Sequence, residues 1–83
     1  MLSQESKEKM RLWLSLWPES GHPADEKRKV DFINSLNANN ETVDFHDLYD
    51  CYREVKPELL DDVAKERCRE WIEEICNFQA RNN

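Results

Sequence analysis

A run of apolar residues near the C-terminus restricts this chain more than any other feature. Leu60, Ala64, Cys68, Trp71, Ile75 and Phe78 recur at helical spacing. Projected at about 100° per residue they fall within about 80° of arc, with Val63 and Ile72 at the flanks. Such a stripe must be covered by other elements, and its period is that of a helix. Opposite charges at Asp61/Lys65 and Arg69/Glu73 are spaced i,i+4. Each such pair supports a helix by a few tenths of a kcal/mol. The pattern predicts a helix over 58–79, with Pro57 at its opening.

Three further segments carry the same period. The first spans about 4–17, with Ser3 as N-cap and Pro18 and Gly21 ending it. Its apolar residues, Met10, Leu12, Trp13, Leu14, Leu16 and Trp17, spread over about 200°, twice the width an ordinary surface helix needs. This helix therefore packs on two sides or leaves part of its face for a partner. Leu12, Leu14 and Leu16 also alternate with Arg11, Trp13 and Ser15, which a strand would do. The charged, helix-forming lead-in and the lack of a second strand to pair with favour a helix. The second segment, 24–38, has Pro23, Asp25 and Glu26 at its positive end and Val30, Phe32, Ile33 and Leu36 on its inner face. Asn37, Asn39 and Asn40 stop it. The third, 45–56, has Asp44 as N-cap with Asp47 three residues on. Its stripe is Phe45, Leu48, Tyr49, Tyr52 and Val55, and Pro57 ends it.

Eighty-three residues make one domain, and only one of them is glycine. That count excludes Gly-rich phosphate loops and strand-rich folds built on tight turns. Short connections between the segments favour antiparallel or angled neighbours. The expected architecture is an all-α, compact four-helix domain spanning residues 1–83.

The net charge of −6 argues against nucleic acid or an anionic membrane as partner. Lys27-Arg28-Lys29 is the sole basic run and sits beside Asp25, Glu26 and Asp31. No apolar stretch is long enough to span a bilayer. The N-terminal residues carry charges of both signs with no cleavage signal, so a cytoplasmic location is expected. Three cysteines, Cys51, Cys68 and Cys76, cannot all pair with one another and read as free thiols.

The residues offer little for bond-making. His46 and Asp50 are spaced i,i+4, which allows a proton-transfer pair, although a surface ion pair is the plainer reading. His46, Asp47, Asp50 and Cys51 could supply metal ligands, but lack the spacings of a zinc site. Asp44, Asp47 and Asp50 lack the loop glycine and terminal Glu of an EF-hand. No cofactor, metal or catalytic set is expected.

Carboxylates are the stronger signal. Asp44, Asp47, Asp50 and Glu54 occupy the arc of the third helix opposite its stripe. Asp62, Glu66, Glu70, Glu73 and Glu74 do the same on the fourth, where like charges at i,i+4 cost the isolated helix a few tenths of a kcal/mol each. A solvated face explains this plainly; docking of a basic partner explains the uncompensated repulsion as well. The expected function is therefore that of a small acidic interaction module: an adaptor, inhibitor or regulatory subunit. Its candidate partner-binding residues are Asp44, Asp47, Asp50, Glu54, Glu66, Glu70, Glu73, Trp13 and Trp17. The alternative is a structural homodimer joined through the first helix. A minimal enzyme or metal protein around His46 is the third class.

Overall fold

The computed structural model describes residues 2–16 and 23–81. It contains four helices and, among the described residues, no strand: α1 (Gln4–Ser15), α2 (Pro23–Ala38), α3 (Phe45–Val55) and α4 (Asp61–Arg81). The all-helical expectation holds, and three of the four helix starts fall within one residue of their sequence-based positions.

Local chemistry explains most boundaries. Ser3 caps α1, its Oγ accepting from the Ser6 N–H at 3.2 Å. Asp44 and Asp47 form a reciprocal capping box at α3, with the Asp47 N–H on Asp44 Oδ1 at 2.9 Å and the Asp44 N–H on Asp47 Oδ2 at 3.4 Å. α2 ends in a Schellman turn. The Glu41 N–H reaches the Leu36 carbonyl at 2.8 Å and the Asn40 N–H reaches that of Asn37 at 3.2 Å. Asn40 adopts φ 54°, a left-handed conformation that asparagine accepts more readily than most residues. This turn fixes the position of Glu41, which matters below.

The start of α4 departs from expectation. Pro57 does not open the helix; residues 57–60 form a turn and α4 begins at Asp61. The connection is held by a side chain of the preceding helix. The Arg53 guanidinium of α3 donates to the carbonyl of Leu59 and, at 3.4 Å, to that of Pro57, holding the segment out of helical register. Leu60, assigned to the apolar stripe by spacing, lies before the helix and is 74% exposed.

α1 and α4 each pack against α2 and α3, so the helices stand in a ring ordered α1, α2, α4, α3. α1 and α4 lie across the diagonal. Aromatic rings bridge the middle: Phe32 of α2 stacks on Trp13 of α1 at 5.9 Å between centroids. Trp13 meets Trp71 of α4 edge-on at 5.2 Å, and Trp71 meets Tyr52 of α3 edge-on at 5.1 Å. One chain of four rings thus ties all four helices. Edge-on pairs set the positive ring edge on a negative face, worth about 0.5–1.5 kcal/mol beyond burial. Leu2, Met10, Leu14, Ile33, Leu36, Val43, Leu48, Cys51, Ala64, Cys68 and Ile75 complete the core. The radius of gyration, 11.9 Å, is that of a closely packed chain of this length.

The wide apolar arc of α1 is resolved by its two neighbours. Met10, Trp13 and Leu14 are buried, while Leu12 remains 43% exposed.

Candidate functional site

The two acidic arcs have different fates. On α3 the carboxylates are engaged locally. Asp44 and Asp47 satisfy each other's backbone N–H groups in the capping box. Glu54 Oε1 accepts from the Arg11 guanidinium of α1 at 2.5 Å. That hydrogen bond, with the carboxylate's charge, holds the Arg11 guanidinium above its ordinary range. Asp50 is exposed and lies on the same wall.

Asp47, Asp50, Glu54 and Arg11 border a cleft between α1 and α3 of about 230 Å³. Asp47, Asp50 and Glu54 line its α3 side, and Lys7 and Arg11 its α1 side. Leu2, Met10 and Cys51, all buried, form the floor. Burial pushes the Cys51 thiol up to about 11, so it stays protonated at neutral pH and is a poor nucleophile. Burial likewise raises Cys68, to about 12. Cys76 is exposed.

On α4 the arrangement is different. Asp62, Glu66, Glu70 and Glu73 are all exposed and project away from the other helices, 180° from the buried Ala64–Cys68–Trp71–Ile75 stripe to within about 50°. Glu66 has a 3.7 Å i,i+3 contact with Arg69. Glu74 leaves this row: it accepts from the Lys29 ammonium of α2, which also contacts Glu26 at 3.1 Å. Burial pulls Lys29 down, but the hydrogen bonds it donates to Glu74 and Glu26 outweigh it and the ammonium sits above its ordinary value.

Trp13, a candidate for partner contact, is buried in this fold. It is 1% exposed and sealed between Phe32 and Trp71, so it offers no surface. Of the two arrangements its wide apolar arc allowed, α1 takes packing on two sides for Met10, Trp13 and Leu14, and leaves Leu12 exposed. Trp17 lies outside the described residues, as does His22. His46 is exposed, and its recorded ring contact is with Phe45 at 5.9 Å. Among the described residues no group of three His, Cys, Asp or Glu side chains could hold a metal ion. No helix among them is long and apolar enough to cross a membrane.

Two features were invisible to spacing. Lys7 and Arg11 face the α3 carboxylates, although about forty residues separate them in the chain. Glu41, one of four acids in residues 41–50, which hold no Lys or Arg, is a structural acceptor. Its carboxylate takes hydrogen bonds from the Ser3 backbone N–H, from Ser3 Oγ at 3.1 Å and from Ser6 Oγ at 2.7 Å. The Ser6 hydroxyl, followed by the Ser3 N–H and hydroxyl, holds the Glu41 carboxyl below its ordinary value.

No protein-family model, curated protein or solved structure matches this chain.

Proposed function

We propose that this protein is a cytoplasmic binding module that engages a basic surface on a partner protein, as an adaptor, inhibitor or regulatory subunit. The observation that carries the reading is the outward row on α4. Asp62, Glu66 and Glu70 repeat at i,i+4, Glu73 lies beside them, and all four are exposed. Like charges at that spacing destabilise a helix, and the fold recovers little of that cost, since the Glu66–Arg69 contact is exposed and worth about 0–1 kcal/mol. A cationic partner surface would relieve the repulsion on binding. Charges so placed chiefly raise the association rate and select the partner.

The α3 acids contribute less, because Asp44, Asp47 and Glu54 already serve the fold. Self-association through α1 has less to work with than its composition implied. Leu12 beside Val55 and half-buried Leu16 are what α1 exposes of its apolar arc among the described residues.

The test starts with capture of partners from the native extract at low salt, followed by association kinetics with the purified partner. The variant Glu66→Gln/Glu70→Gln/Glu73→Gln should associate about ten-fold more slowly, with a flatter dependence on ionic strength. An unchanged rate and salt slope would remove the reading, as would the failure to recover any partner.

A further inference from the structure

Steering charges explain rate and choice of partner, whereas affinity comes from a few anchors that fill desolvated pockets. The α4 row projects outward from the bundle. The cleft between α1 and α3 is concave, and we propose that it is the socket for one arginine side chain of the basic partner. This inference rests on the reading above and locates its anchor.

The fit follows from the layering of the cleft. Its floor is apolar, made by Leu2, Met10 and the protonated thiol of Cys51, which is 7% exposed. An arginine stem of three methylenes needs such a floor. Its α3 wall carries Asp47 and Asp50, one turn apart; Asp47 Oδ2 is held by the Asp44 N–H of the capping box, and a guanidinium can donate to the Asp50 carboxylate and to the other Asp47 oxygen. The cleft already holds one such pair, Arg11 on Glu54 at 2.5 Å, which cancels both charges locally. A volume of about 230 Å³ lies below the range of about 300–1,000 Å³ typical of drug-sized ligands and suits a single side chain. Guanidinium is preferred over ammonium because it is more weakly hydrated and planar. Lys7 on the α1 rim opposes the incoming cation. It is exposed, so its charge weakens binding without closing the site.

That opposition supplies a test with opposite signs. The probe is N-acetyl-arginine amide, titrated into the full chain and followed by two-dimensional amide NMR. N-acetyl-lysine amide and N-acetyl-leucine amide are the comparators. Saturable shifts should be confined to residues 7–11 and 47–54, with arginine strongest and leucine silent. Asp50→Asn should weaken binding about three-fold, and Lys7→Gln should strengthen it about two-fold. Both positions are exposed and outside the core, so both variants fold. Shifts spread over the α4 row, or equal affinities in the wild type and the two variants, would overturn the socket. A hexa-arginine peptide separates the two proposals. If it binds the wild type and loses binding on neutralisation of Glu66, Glu70 and Glu73, yet ignores Asp50→Asn and Lys7→Gln, the socket falls while the partner-binding reading stands.

Discussion

Ser6 sits at the junction of α1, α2 and the loop before α3, and its replacement tests how the first helix is held. Its side chain is fully buried. Its hydroxyl has one proton, and the 2.7 Å contact with Glu41 Oε1 must use it, since an ionised carboxylate only accepts. The 2.9 Å contact between Ser6 Oγ and Ser35 Oγ is therefore donated by Ser35. Ser35 in turn accepts from Asn39 Nδ2 at 3.5 Å. The protons all point one way, from Asn39 through Ser35 and Ser6 to the carboxylate.

Ser6→Ala removes two links at once. A hydrogen bond to a charged acceptor contributes about 1.5–3 kcal/mol and a neutral one about 0.5–1.5. The better helix propensity of alanine returns a few tenths. The expected loss is about 2 kcal/mol, against a total of about 4–12 kcal/mol for a chain of this length. Urea unfolding followed by tryptophan fluorescence measures it, and Tm should fall by roughly 10 °C. A Ser6→Ala/Ser35→Ala double-mutant cycle should show coupling of about 1 kcal/mol. A loss below about 0.5 kcal/mol for Ser6→Ala, or additive single losses in the cycle, would refute the directed chain.

Three other outcomes follow from the same structure. Glu41 and Asp61 lie below their ordinary carboxyl values, Glu41 through Ser6 and Ser3, and Asp61 first through the Tyr49 hydroxyl and then Lys65. Depressed folded-state values mean this stability is complete above the unfolded carboxyl range and is lost as pH falls through the folded values. Acid unfolding followed by circular dichroism should show the decline, and Glu41→Gln should be less stable at neutral pH with a shallower acid limb. An amide there can accept from Ser6, but its NH₂ would face the Ser3 N–H. Trp13→Ala should cost about 3–5 kcal/mol, enough to leave the domain marginal, and Trp13→Phe clearly less; urea midpoints decide. Leu60→Ala should change stability by less than about 0.5 kcal/mol, because the side chain is 74% exposed; a core-sized loss would place it back in the stripe.

Spacing made the helices legible. Phe32, Ile33 and Leu36, or Ala64, Cys68, Trp71 and Ile75, share one face under the 3.6-residue period, and that face is the buried one. Ser3, Asp44 and the asparagines after α2 marked their ends because capping is chemistry between near neighbours in sequence. The outward carboxylates of α4 were legible for the same reason. Whatever depended on a distant residue was not. Phe32 and Trp71 decide that Trp13 is sealed, and Lys7 and Arg11 decide how much of the α3 acid is free. The cleft between α1 and α3 exists because two segments about forty residues apart are set side by side. A periodic pattern states which side of a helix is turned inward, since that is a property of one segment. Which helices meet, and which charges face each other across the join, is settled by packing all four around one chain of rings.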